Sequence, residues 1–225
     1  MPFPLKYKHI DYGKNFRNFG TVFSHPEEII EEAKAGRIFI LVDDEHRENE
    51  GDLVIPAEKI TSEDVNFMVR EGRGLVCLAL HESIVDRLEL AMLPQRHESR
   101  YGTAFTVSIE AREGISTGIS AADRACTIRT AVDPNSTAND IATPGHVFPL
   151  KARKGGVMER RGHTEAAVDI SALAGLVPAG VICEIMNEDG TMARMPDIEK
   201  FAAHHNMKVG TVAALVDYQL KNRRN

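Results

Sequence analysis

The segment DDEHRENEGDL at 43–53 places Asp43, Asp44, Glu45, Glu48, Glu50 and Asp52 within ten residues, with Arg47 among them. Carboxylates this crowded repel one another. They are tolerated where water solvates them, where Arg47 pairs with one, or where a divalent cation gathers them as hard oxygen ligands. Glu48, Glu50 and Asp52 alternate, so an extended segment turns all three to one side. Alone, such a run reads equally well as a solvated acidic turn. Its position shifts the reading, because it follows a continuous apolar run, and α/β folds place ligands in the loops that leave buried strands.

In RRGHTEAAVDI at 160–170, Gly162 and His163 open a helical pattern whose Ala166, Ala167 and Ile170 share a face, with Thr164 at its start. Free N–H groups and the positive end of a helix, with Arg160 and Arg161 beside them, suit a small phosphate. His163 could add a nitrogen ligand to a carboxylate of the first segment. An ordinary helix start is the plainer alternative. GISTGISAADR at 114–124 sets Ser116, Thr117 and Ser120 beside Gly114 and Gly118. Hydroxyls and free N–H groups again suit phosphate, although the lysine of a P-loop is lacking and a simple capping loop fits too.

His146, in TPGHVFPL, stands between Gly145 and a short apolar strand, as a general acid or base or as a structural turn histidine. Glu184 interrupts the apolar run VICEIM, where a carboxylate is costly unless paired, metal-bound or raised in pKa. Cys77 in LVCLAL reads as a small core hydrophobe, and Asp123 and Arg124 as helix surface.

The elements that must position these groups are legible as alternating patterns. Ser24 and Glu27 have capping-box spacing, Pro26 suits a first turn, and Ile29, Ile30 and Ala33 line one face before Gly36, which predicts a helix. The run 38–42 is apolar throughout, as in a strand covered on both faces, and ends at Asp43. Similar runs at 53–57, 75–80, 104–109 and 181–186 predict strands, and helical periods occupy 62–71, 120–132, 163–175 and 196–205. Interleaving of this kind predicts a single α/β domain of the three-layer α+β type, a mixed sheet flanked by helices, over 24–225. Residues 1–23 read as an arm.

Composition bounds the function. With 43% apolar and 27% charged residues, the chain of 225 can bury a core. A net charge of -6 argues against a nucleic-acid partner, whose phosphates need clustered Lys and Arg. Three dispersed cysteines form no disulfide framework or CxxC pair, and neither a signal peptide nor a membrane span is present, so a cytoplasmic location is expected.

Taken together, DDEHRENEGDLVIPAE, GLVCLAL, YGTAFTVSIEA, STGISAADRA, PGHVFPL, RRGHTEAAVDI and AGVICEIMNEDGTMAR stand in an order and spacing that resembles the 3,4-dihydroxy-2-butanone 4-phosphate synthase family, from about residue 25 to about residue 220. The resemblance implies conversion of D-ribulose 5-phosphate into L-3,4-dihydroxy-2-butanone 4-phosphate and formate, in riboflavin biosynthesis, through a metal-stabilised enediolate and a skeletal rearrangement. It implies Mg2+ or Mn2+, two ions per active site, without an organic cofactor. Glu48 and His163 become metal ligands. Arg47, Glu48, Glu50, Asp52, Thr117, Arg160, Arg161, Gly162, His163, Thr164 and Glu184 become substrate contacts. His146, Glu184 and Asp52 become the catalytic acids and bases. The family pattern also implies a homodimer with its active site at the interface, where Thr117 reaches across. Many bacterial relatives carry a fused GTP cyclohydrolase II domain; the chain ends at KNRRN, so a monofunctional protein is expected. Two alternatives remain: another divalent-metal-dependent phosphosugar isomerase, aldolase, lyase or phosphatase, which formate release would distinguish, and a non-catalytic nucleotide- or RNA-binding domain, which would need a basic, aromatic face.

Overall fold

Residues 39–42 are apolar at every position because the strand they form, β1 (Phe39–Val42), is covered on both sides. Its side chains alternate between two separate cores. Ile40 and Val42 join the one that also takes Leu53, Leu78 and Val181. Phe39 and Leu41 join the other, with Val54, Ala79 and Ile182. The computed structural model describes residues 23–94 and 101–222, so the expected arm lies, apart from Phe23, outside the described residues.

The other strands are β2 (Gly51–Pro56), β3 (Cys77–Leu80), β4 (Ile109–Ala111), β5 (Ile141–Lys151), β6 (Ala179–Glu184) and β7 (Val209–Thr211). They form one mixed sheet in the order β4-β5-β3-β6-β2-β1-β7. The β3–β5 and β1–β7 pairs are parallel and the remaining neighbours antiparallel. The helices are α1 (Pro26–Lys34), α2 (Ser62–Phe67, continued by a π turn over Met68–Gly72), α3 (Glu82–Arg87), α4 (Ala121–Val132), α5 (His163–Leu173), α6 (Met195–His205) and α7 (Val212–Asn222). Helices α2, α3, α4 and α6 cover the Ile40 face. Helices α1, α5 and α7 cover the Phe39 face, which completes the expected three layers.

Helix α5 lies close on the sheet because its inner positions are small. A Cβ on Gly180 of β6 would sit 2.8 Å from the Ala167 methyl, and the Ser171 hydroxyl is 2.9 Å from the Ala179 carbonyl. Burial of Ile170 on the same face contributes about 1.5–3 kcal/mol. This packing fixes where the helix begins, and therefore where His163 points.

Several expectations need correcting. Helix α1 is capped by His25 with Glu28, one residue later than the Ser24 and Glu27 pairing, since Pro26 occupies the first turn and places the cap immediately before it. Strand β2 begins at Gly51 rather than 53, which carries Asp52 into the sheet. No ladder forms over 104–108; only isolated bridges, Met92↔Thr106 and Phe105↔Leu150, occur there. Pro149 has no N–H to continue the pairing beside them. His146 belongs to no turn: it lies inside the eleven-residue β5, after the cis Thr143–Pro144 peptide. The strands at 75 and 181 are shifted to 77–80 and 179–184. Helix α3, β7 and α7 are elements outside the ones expected.

Register brings the chemistry to one end of the sheet. Val42 pairs with Gly51, Asp52 with Glu184, and Cys77 with both Ile182 and Phe148. The end of β1, the start of β2, the end of β6, the start of β3 and the His146 part of β5 are therefore neighbours.

Candidate active site

Asp43 shapes the acidic loop. One of its oxygens accepts the Glu50 N–H at 2.9 Å, and the other accepts the Glu48 N–H at 3.1 Å and Arg47 Nη1 at 2.7 Å. Arg47 also holds Glu48 Oε2 at 2.5 Å and lies over the Tyr101 ring, 5.5 Å from its centroid. From the N-cap of α6, Arg194 donates to the Glu48 carbonyl at 2.8 Å and to the Asn49 carbonyl. Thus Asp43, Arg47 and Glu48 are withdrawn from solvent, while Asp44, Glu45 and His46 form the exposed tip of the turn. Two guanidinium groups and one buried carboxylate give it a single shape.

His163, the first residue of α5, is 5% exposed and meets this loop. Its Nδ1 is 3.7 Å from Glu48 Oε2 and 3.7 Å from Asp52 Oδ1. Asp43, Glu48 and His163 offer ligand atoms within 4.8 Å of one another. Asp52 Oδ1 and His163 Nε2 are buried without a hydrogen-bond partner among the described residues. Orphaned buried polar atoms are costly, and here an acceptor oxygen and a ring nitrogen are left open beside further carboxylates. Hard oxygens with one imidazole are a donor set that fits a divalent cation such as Mg2+ or Mn2+.

Electrostatics reports the same crowding. Burial, reinforced by Glu184, Glu48 and Glu50, outweighs His163 and pushes the Asp52 carboxyl up to about 7. Burial opposes a charged His163, yet Asp52, Glu48 and Asp43 hold its pKa up at about 9. Burial also raises Glu50, with Glu48 adding to it, whereas His163 and Arg47 overcome burial and lower Glu48. Positive charge among these oxygens would relieve all of these carboxylates at once.

Glu184 faces the cluster from the strand beside Asp52. Its Oε2 accepts the Leu75 N–H at 2.8 Å. A Cβ on Gly74 would lie 2.5 Å from that same oxygen, so only glycine leaves room for the carboxylate. Cys77, on the same face of the sheet, has its thiol pushed up by burial, with Glu184 and Asp52 adding to the effect, and is a core side chain as expected.

Arg160 and Arg161 differ. Arg160 is committed to Glu165 at 2.5 Å, to the Tyr101 carbonyl at 3.0 Å and to Thr103 Oγ1 at 3.2 Å, while Arg161 is exposed. A Cβ on Gly162 would overlap the Arg160 guanidinium, so glycine there lets Arg160 reach Glu165 unobstructed. Thr164 is buried in the first turn of α5.

The structure does not bring His146 and Thr117 into contact with this cluster. His146 Nδ1 is hydrogen-bonded instead to Glu110 Oε1 on the neighbouring strand. Thr117 is exposed on the loop before α4. Asp123 is not helix surface: it is 6% exposed and accepts from Ser116 Oγ at 2.7 Å, Ser116 N at 3.1 Å and Gly118 N at 3.0 Å. Those bonds hold its pKa down at about 2.

Sequence reasoning overlooked Glu110, Glu165 and Arg194, and gave Asp43 no role of its own. Glu165, 1% exposed in a helix's first turn, was detectable as a carboxylate among alanines beside two arginines. Glu110 carried no such signal, since its partner lies 36 positions away.

Comparison with known proteins bears on this geometry. A family profile described as 3,4-dihydroxy-2-butanone 4-phosphate synthase matches residues 27–218. The chain is 56% identical over 192 residues to the 3,4-dihydroxy-2-butanone 4-phosphate synthase of Neisseria meningitidis serogroup B, covering 85% of this chain and 53% of that one. It is 52% identical over 201 residues to the Shewanella sediminis protein of the same name, covering 89% and 93%. The chain thus spans about half the length of several curated relatives and nearly all of another. A crystal structure of a 3,4-dihydroxy-2-butanone 4-phosphate synthase in complex with two magnesium ions is similar with a TM-score of 0.85 and 38% identity, covering 89% of this chain and 99% of that one.

Proposed function

The chain belongs to the 3,4-dihydroxy-2-butanone 4-phosphate synthase family, and from that premise we propose that it converts D-ribulose 5-phosphate into L-3,4-dihydroxy-2-butanone 4-phosphate and formate, a step of riboflavin biosynthesis. The observation that carries this reading is the convergence of Glu48 and Asp52 on His163 Nδ1, at 3.7 Å each, around buried atoms without a hydrogen-bond partner among the described residues.

Glu48 and His163, with Asp43 beside them, would hold Mg2+ or Mn2+, two ions per site by analogy with the magnesium-bound relative. Such ions supply positive charge opposite the oxygens of an enediolate and polarise a carbonyl for the later carbon shift.

This chain's own groups do the rest. Arg161 and the start of α5 at Gly162, His163 and Thr164 receive the substrate phosphate, with Arg160 holding that start in place through Glu165. Arg47, Glu48 and Glu50 orient the sugar hydroxyls. Asp52 and Glu184, opposite each other on adjacent strands, stand where protons leave and return at neighbouring carbons. His146 is the third proton carrier. Because His146 and Thr117 form their own patch apart from the cluster, a cytoplasmic homodimer that sets one protomer's patch against its partner's cluster completes the constellation.

Purified protein given ribulose 5-phosphate should release formate with Mg2+ and stop on chelation. Isomerised pentose phosphate without formate would instead favour the isomerase alternative and sink this reading.

A further inference from the structure

We propose that Glu110 is a positioning residue for His146, fixing the tautomer and direction of the ring so that Nε2 is the nitrogen left to exchange protons with substrate. The proposal rests on the reading of His146 as a proton carrier and adds to it a residue with no assigned part.

The two side chains come from neighbouring strands whose register is broken at this point. Ile109 pairs with Val147, but Glu110 pairs with Ala142, so the irregularity falls between Ile109 and Glu110. Such an irregularity re-aims a side chain. Gly145 lets the strands close up there: a Cβ on it would overlap the Ile109 carbonyl, and its N–H donates to Ser108 Oγ at 3.1 Å. The result is the hydrogen bond between Glu110 Oε1 and His146 Nδ1.

A second element is built onto the pair. Gly118 has φ +90°, and a Cβ on it would overlap the Glu110 carboxylate and lie 2.8 Å from His146 Nδ1. Bare backbone is therefore laid directly over the contact. Asp123 holds that backbone down through Ser116 and Gly118. Glu110 is left 18% exposed at its side chain while the ring is 45% exposed, so the acid is sheltered and the imidazole presented.

An ionised carboxylate only accepts hydrogen bonds. Nδ1 must then carry the hydrogen in the neutral ring, and Nε2 keeps its lone pair. A histidine held in one tautomer and one direction has its proton-accepting nitrogen already placed; a free ring divides its time between tautomers and orientations.

The test uses the full chain. Nitrogen-15 histidine spectra, with the His146 signals identified by their loss in His146→Asn, should show the Nδ1–H tautomer in the wild type and a mixture in Glu110→Ala. In formate-release assays with Mg2+, Glu110→Ala should lower kcat about 10- to 100-fold with KM changed less than about threefold, and Glu110→Asp should recover part of the loss. The double variant Glu110→Ala/His146→Ala should be no slower than His146→Ala alone. An unchanged tautomer in Glu110→Ala, or losses that multiply in the double variant, would overturn the proposal. If Glu110→Ala does not fold, Glu110→Leu, which fills the same space without an acceptor, carries the same comparison. Wild-type kcat in His146→Ala has a different meaning: the proton-carrier reading fails, and the positioning role falls with it.

Discussion

His163, at the start of α5, and His146, in β5, lie toward the same end of the sheet in opposite surroundings. His163 is buried, has two carboxylates at 3.7 Å, and leaves Nε2 without a hydrogen-bond partner among the described residues. His146 is half-exposed and already committed at Nδ1 to a single sheltered acid. The first is enclosed among carboxylates at Nδ1, the surroundings that the proposed metal role calls for. The second is finished on the inside and open on the outside, as a proton carrier needs to be. Identical side chains thus take different chemistry from what surrounds them.

The comparison can be broken most directly at the cluster. Glu48→Ala and His163→Ala are each expected to abolish formate release while circular dichroism still reports a folded chain; near-normal turnover in either would remove the metal assignment. Next in size, His146→Ala should lower kcat by about 10²- to 10⁴-fold, the range of a lost general acid or base. Its melting temperature should still rise on addition of Mg2+, because the cluster is intact. A variant of His146 that no longer responds to Mg2+ would merge the two regions into one. Smaller again is the Mg2+ effect itself: at about 100 times its Kd the ion should stabilise the wild type by about 2.7 kcal/mol in thermal unfolding, and Glu48→Ala should show no shift.

The smallest effect concerns the loop over His146. Asp123 has its folded pKa depressed to about 2 from an ordinary value of 3.8, so its contribution to stability is complete above pH 3.8 and is lost as pH falls toward 2. Asp123→Asn should therefore melt below the wild type at neutral pH, with the gap closing between about pH 4 and pH 2. A gap independent of pH would mean that the hydrogen bonds, rather than the charge, hold the loop.

The cluster was legible in the sequence because its signals are local. Asp43 to Asp52 are contiguous, and His163 follows a glycine at the start of an obvious helix. The unbroken apolar run of β1 and the alanine face of α5 likewise reported both cores. The His146 patch was not legible for the opposite reason. Glu110 meets His146 through a break in strand register, and Gly118 and Asp123 arrive from a third segment. Nothing in TPGHVFPL announces that it is the middle of an eleven-residue strand, since two prolines and a glycine all argue against one. Asp123 looked like surface because a helix's first turn is where solvated acids ordinarily stand. Its burial comes from the loop it gathers, and tertiary contacts of that kind leave no period behind.

The pairing of Asp52 with Glu184 has a consequence beyond their proposed part in the reaction. Side chains on neighbouring positions of a strand face opposite ways, so sliding β2 by a single residue would drive Asp52 into the oily layer shared with Leu53 and Val181. Misaligned chains would meet that penalty before any substrate arrives. The acids proposed to act on substrate also make this sheet intolerant of wrong assembly, and a chain able to bring them together is one that has already folded correctly.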